Sequence, residues 1–188
     1  DRWQLSAGGR YYVVRGESSL IAFALGEGSL AETGFRIVGA HTDSPGLRLK
    51  PRPALAGDGL LRLAVEVYGG PILATFPDRE LSLAGRVIVR SAGGPAARLL
   101  RFDQALLRLP NLAIHMNREV NEQGLKLNRQ TELPLLLGLA DGEQDGATRL
   151  RKLLATAAQA DDADLLSWDL AVYDVQKAAI WGAAGEFI

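Results

Sequence analysis

Val38-Gly39-Ala40-His41-Thr42-Asp43-Ser44-Pro45-Gly46 closes an apolar run that begins at Phe35. Read as a buried strand over residues 35–40, the run delivers a histidine at its end and an aspartate two positions later. Side chains two apart on a strand face the same way, so His41 and Asp43 converge on one point at the strand's edge. Ser44-Pro45-Gly46 stops the strand, because Pro45 has no N–H and Gly46 accepts unusual dihedrals. An imidazole beside a carboxylate suits a divalent metal: the ring nitrogen ligates, and the carboxylate orients it or a neighbouring group. The same tripeptide also describes a solvated strand end, and Asp43 also suits a cap of the Ser44-Pro45 turn.

Working outward, residues 10–15 (RYYVVR) and 19–25 (SLIAFAL) read as strands joined by a turn at Gly16-Glu17. The glycines between 26 and 34 do not make a phosphate-binding fingerprint, since their spacing fails G-x-G-x-x-G. Residues 51–59, with Pro51, Pro53, Gly57 and Gly59, read as a domain boundary or a wide turn. Beyond it, Leu61, Leu63, Val65 and Val67 alternate with Arg62, Ala64 and Glu66, the pattern of a half-buried strand. Residues 86–90 and 112–116 repeat that pattern, and 91–95 reads as a loop. The second repeat puts His115 on the polar face, with Ala113 and Asn117, where a solvated histidine is the simplest reading. Residues 131–139 read as a short helix with Pro134 in its first turn. Residues 148–159 read as a longer one, with Leu150, Leu153, Leu154, Ala157 and Ala158 on one face. A polar loop over 141–146 separates the two helices, and 167–173 returns to strand.

The chain has 188 residues, 47% hydrophobic and 23% charged, with a net charge of −1. That is a globular composition without the basic excess of a nucleic-acid binder, so no nucleic-acid partner is expected. No apolar run reaches the roughly 18 residues of a membrane span. Asp1-Arg2-Trp3-Gln4 opens without the apolar core of a secretory leader, and a cytoplasmic location is expected. There are no cysteines and two histidines, His41 and His115, so a metal must lean on carboxylates or on residues outside these 188.

His41-Thr42-Asp43-Ser44-Pro45 with Leu47-Arg48-Leu49-Lys50-Pro51 resembles the first metal motif of the M18 metallopeptidases, the aspartyl aminopeptidase family. Three further segments resemble the same family in the same order. They are Val65-Glu66-Val67-Tyr68-Gly69-Gly70 with Asp78-Arg79-Glu80-Leu81-Ser82-Leu83-Ala84-Gly85-Arg86-Val87, then Asn111-Leu112-Ala113-Ile114-His115-Met116-Asn117-Arg118, then Asp169-Leu170-Ala171-Val172-Tyr173-Asp174-Val175-Gln176 leading to Gly185-Glu186-Phe187-Ile188. Residues 71–77 and 177–182 depart from the family's usual stretches.

The resemblance implies an α/β fold: part of a metallo-aminopeptidase catalytic domain, a mixed sheet with helices, interrupted by a β-rich dimerisation domain. The implied boundaries are 1–52 and 166–188 for the catalytic part and 53–165 for the insertion. The implied activity is removal of N-terminal Asp or Glu from peptides at a two-metal zinc site, with Co²⁺ or Mn²⁺ as the other candidate metals. His41 is the implied metal ligand and Asp43 its catalytic supporting carboxylate. His115 is the implied substrate-binding histidine, reaching the active site of a neighbouring subunit. A homodimer building a larger homo-oligomer is implied as well. Asp78, Arg79, Glu80 and Arg86 read as a solvated face, or by resemblance as subunit contacts. Asp169 and Asp174 are ligand types but read as structural. In the family the remaining metal ligands follow the match to Glu186-Phe187-Ile188. These residues therefore read as an N-terminal portion, expected to hold no metal tightly and to hydrolyse nothing alone, since one imidazole leaves most of a zinc shell to water. The alternative is a non-catalytic oligomerisation or regulatory module.

Overall fold

The computed structural model describes residues 3–140 and 145–188, and the chain divides after Ser44 into two compact units. The opening Asp1-Arg2, and residues 141–144 of the expected polar loop, lie outside the described residues.

In the first unit, strands β1 (Arg10–Arg15) and β2 (Ser19–Ala24) pair antiparallel, with Tyr11 opposite Phe23 and Val13 opposite Ile21. The hairpin follows the expected bounds except that β2 ends one residue early, at Ala24. Gly16 and Glu17 both take positive φ, 59° and 60°, where the chain reverses. Phe23 carries an aromatic stack, with Trp3 at 5.6 Å and Tyr11 at 5.4 Å between ring centroids. Hydrogen bonds from the Ser6 side chain and backbone lower the pKa of the Tyr11 phenol. A single helical turn, α1 (Leu30–Thr33), follows.

The run over 35–40 is not a strand. Phe35, Ile37 and Val38 are 77%, 87% and 98% exposed. An apolar run becomes a buried strand only when neighbouring strands take its N–H and C=O groups and cover both faces. Among the described residues no strand pairs with it.

The second unit is a six-stranded antiparallel sheet. Its strands are β3 (Gly46–Gly57), β4 (Leu60–Tyr68), β5 (Leu81–Ser91), β6 (Gly94–Arg101), β7 (Leu135–Leu139) and β8 (Leu165–Asp174). They lie in the order β6-β5-β8-β3-β4-β7. Alternation decides which face is buried. Leu47 and Leu49 of β3, Leu61, Leu63 and Val65 of β4, Leu83, Val87 and Val89 of β5, and Leu170 and Val172 of β8 form the core. Arg48, Glu66, Arg86 and Asp169 point away from it.

Residues 51–59, expected as a boundary or a wide turn, are mostly strand: β3 runs through Gly57 and turns directly into β4 at Leu60. Asp58 and Gly59, at φ 56° and 73°, form a two-residue reversal between paired Gly57 and Leu60. Two positive φ values match the twist of a hairpin, and Asp-Gly is a favoured pair there. Pro51 and Pro53 fall in the register shift between Leu49 and Ala54, where missing N–H groups disrupt no ladder. The expected boundaries at 52/53 and 165/166 fall within β3 and at the first residue of β8.

Two other elements differ. Residues 131–139 are a turn followed by β7, because Leu135 and Leu136 pair with Leu63 and Arg62 of β4. Asn128 Oδ1 accepts the Gln130 and Thr131 N–H groups, at 2.9 and 3.2 Å, and fixes the turn before β7. Residues 112–116 form a turn, not a strand. A further short helix, α2 (Val120–Gln123), follows that turn.

The helix expected at 148–159 is α3 (Gly146–Ala157). It buries Leu150, Leu154 and Ala155 against the sheet, with the capping Ala158 buried beyond its end, so Ala155 occupies the inner face where Ala157 is expected. Residues 106–109 tie the sheet's distant parts together. Leu107 bridges Leu81 of β5, and Arg108 bridges Leu136 of β7. Buried Leu107 and Leu109 anchor that stretch.

Candidate metal-binding loop

Residues 41–44 form an irregular stretch at the end of the first unit. Its geometry rests on local hydrogen bonds. His41 Nδ1 lies 2.8 Å from the Asp43 carbonyl oxygen and 3.3 Å from Asp43 Oδ1. Thr42 Oγ1 donates to the Ser18 carbonyl at 3.2 Å, fastening the loop beside the β1–β2 turn.

A carbonyl oxygen can only accept, so the proton of a neutral imidazole sits on Nδ1. Nε2 then carries the free lone pair. This is the tautomer in which a metal-ligating histidine is normally held: one ring nitrogen donates to a carbonyl or carboxylate while the other faces the ion. The structure therefore brings His41 and Asp43 together, as the spacing indicates, but through a turn and not through a shared strand face. The His41 and Asp43 side chains are 78% and 50% exposed.

Zinc takes four ligands, at least three of them from protein in catalytic sites. Among the described residues no group of three or more His, Cys, Asp or Glu side chains converges in a way that could hold a metal. His41 fits as one donor with a preset tautomer, but the described residues do not complete a zinc shell.

His115 lies in the second unit, in the exposed turn over 114–116. The Met116 N–H donates to the Ala113 carbonyl at 2.8 Å. Leu112, Ile114 and Met116 are exposed, so the expected alternation buries no face. Asn111 Oδ1 accepts the Leu112 N–H at 2.9 Å, and such a local bond competes with strand pairing.

Asp169 and Asp174 carry ion pairs, with Arg48 at 3.3 Å and Arg79 at 2.6 Å. Glu186 accepts the Ala184 N–H at 3.0 Å within a small loop closed by the Trp181–Phe187 bridge. Asp78 is the residue that the sequence reading undervalued. It is no mere member of a charged face: its N–H donates to the Leu109 carbonyl at 2.9 Å, and its carboxylate accepts the Asn111 N–H at 3.3 Å. Pro77-Asp78 before a charged pair is the one local hint, since aspartate tolerates the reversed backbone of a turn.

A family model described as Aminopeptidase I zinc metalloprotease (M18) matches residues 1–188. The chain belongs to the M18 family. The "Probable M18 family aminopeptidase 2" of Pseudomonas paraeruginosa is 50% identical over 190 residues, covering 100% of this chain and 44% of the relative. Among solved structures, a chain of the cryo-EM complex of Ape4 and Nbr1 superposes with a TM-score of 0.84 at 36% identity, over 97% of this chain and 38% of that one. The mApe1 dodecamer of S. cerevisiae gives a TM-score of 0.71 at 27% identity, over 95% and 40%. The M18 chain thus spans less than half the length of the proteins it matches. The mixed α/β class expected from the sequence is the class of these structures. At the family level the chemistry is that of zinc aminopeptidases, hydrolases of peptide bonds.

Proposed function

We propose that this chain is the part of a zinc-dependent M18 aminopeptidase that carries its first metal-binding loop, and that the enzyme removes N-terminal Asp or Glu from peptides. The observation that carries the reading is the short contact of His41 Nδ1. In the motif that resembles the family's first metal motif, Nδ1 is committed to the Asp43 carbonyl at 2.8 Å, and Nε2 is left to ligate. Bound zinc would supply Lewis acidity and an activated water. This chain's own residues do something narrower. Asp43 orients the imidazole and holds its proton on Nδ1, and His115 contributes to binding the acidic peptide across a subunit contact. Two metals, with Co²⁺ or Mn²⁺ as substitutes for zinc, a cytoplasmic location, and a homodimer building a larger particle complete the proposal. The self-associating part is the β-rich sheet. It takes in all of β3 and β8 and so extends beyond residues 53–165.

The test is hydrolysis of peptides with N-terminal Asp, Glu or Ala by the complete gene product that contains this chain, with and without a chelator. Chelator-sensitive cleavage that prefers acidic residues is the expected result. His41→Ala should then lower kcat/KM by about 100-fold or more, because losing the partner of a ligand alone costs 10–100-fold. Cleavage that ignores the chelator, or prefers Ala, would overturn the proposal. A second reading, a non-catalytic oligomerisation or regulatory module, draws on the exposed Leu112, Ile114 and Met116. It becomes the better account if no metal supports cleavage.

A further inference from the structure

Between the helical turn at Leu73–Thr75 and β5, three consecutive residues tie down separate segments. Asp78 takes a left-handed backbone at φ 61°. Its N–H donates to the Leu109 carbonyl at 2.9 Å, and its Oδ1 accepts the Asn111 N–H at 3.3 Å. Arg108 Nη2 stands 3.8 Å from the same oxygen. Arg79 Nη1 donates to Asp174 Oδ2 at the end of β8, at 2.6 Å, and the Glu80 carbonyl accepts the Val175 N–H at 2.9 Å. A non-glycine residue outside the common backbone regions persists only where its surroundings over-determine it. Here the over-determination comes from one loop, gripped by both the N–H and the side chain of Asp78.

That loop carries His115. Among the described residues, Asp78 receives the one hydrogen bond that leaves segment 110–124 for another element. The rest are internal, among them Leu112 N–H to Asn111 Oδ1 at 2.9 Å, Met116 N–H to the Ala113 carbonyl at 2.8 Å, and Gly124 N–H to the Val120 carbonyl at 3.0 Å. Packing does not replace that anchor, because Leu112, Ile114 and Met116 are exposed. The links run in sequence. The Asp78 carboxylate fixes the Asn111 amide, Asn111 fixes Leu112, and the turn bearing His115 follows.

We propose that Asp78 is a positioning residue for His115: its carboxylate and strained backbone set the base of the loop that presents the imidazole. The inference rests on the proposed part of His115 in binding substrate. Holding a binding group within a fraction of an ångström of its working place is worth one to two orders of magnitude in rate.

Two variants separate the carboxylate from the backbone. Asp78→Gly keeps the left-handed conformation and deletes the acceptor. Asp78→Asn keeps both. In the complete gene product, Asp78→Gly should lower kcat/KM by about tenfold, and Asp78→Asn should restore most of that loss. The loss should vanish in a His115→Ala background, because residues acting through one another do not add. The Asn111 and Leu112 amides should exchange with deuterium about tenfold faster in Asp78→Gly, with amides of β5 and β8 unchanged. An Asp78→Gly loss that adds in full to that of His115→Ala would overturn the proposal. So would exchange at Asn111 that the glycine leaves unaltered. If His115→Ala has normal kinetics, the part proposed for His115 is what fails. The exchange measurement then still decides whether Asp78 holds the loop.

Discussion

At the scale of single residues, the strongest constraints come from atoms that leave no alternative. Gly85 sits on β5 at φ 150°, opposite Leu170. A Cβ there would collide with the Asp169 carbonyl oxygen and lie 3.0 Å from Leu170 Cα, and both are backbone atoms that cannot move aside. Gly85→Ala should therefore destabilise the protein by roughly 3 kcal/mol, the upper range for overpacking. Denaturant unfolding measures this, and a loss under about 1 kcal/mol would contradict the close approach of β5 and β8. Ser82 makes the opposite point. It is fully buried, and its hydroxyl donates to the Phe102 carbonyl at 2.9 Å. Tyr173 also donates to that carbonyl. Ser82→Ala removes one donor and leaves the other, so its cost should stay near 1 kcal/mol, the net value of one hydrogen bond. An equally large loss in Ser82→Ala and Gly85→Ala would show that this carbonyl depends on both donors.

At the scale of elements, legibility followed the range of the interactions that decide each one. The β1–β2 hairpin, β4, β5, β8 and α3 could all be read from periodicity, because alternation or a 3.6-residue stripe records a buried face locally. The run over 35–40 could not. Its apolar character states that it suits two-sided burial, but no strand of the described residues covers it. The run 135–139 was equally ambiguous by itself, and only pairing with β4, distant in sequence, makes it a strand. Residues 112–116 alternate like a strand, yet Asn111 diverts the backbone into a turn. The His41–Asp43 pairing was legible because two residues in sequence fix it. The Asp78–Asn111 contact was not, because it joins positions 33 apart in sequence. Gly59→Val places a branched side chain at φ 73° and should cost about 1–2 kcal/mol, visible as a lower unfolding midpoint. Ile37→Ser with Val38→Ser should reduce binding of a hydrophobic dye by this chain and leave its unfolding midpoint in place, since both side chains are almost wholly exposed. A lowered midpoint would show that the run packs against something after all.

At the scale of the whole molecule, the donor set sets the limit. One histidine with a preset tautomer is not a zinc site, so calorimetric titration of these 188 residues with zinc should show only weak binding. Nanomolar affinity would mean that ligands outside the described residues complete the shell. The sheet of the second unit has a different property. Among the described residues, 106–109 already occupy the outer side of β7 through the Arg108–Leu136 bridge, whereas β6 has a neighbour on one side alone. A strand array grows without limit only if every added copy presents a fresh edge. This sheet presents one, and meeting its own counterpart would use it up. Edge pairing of this kind can therefore end in a closed pair but cannot propagate as a fibre.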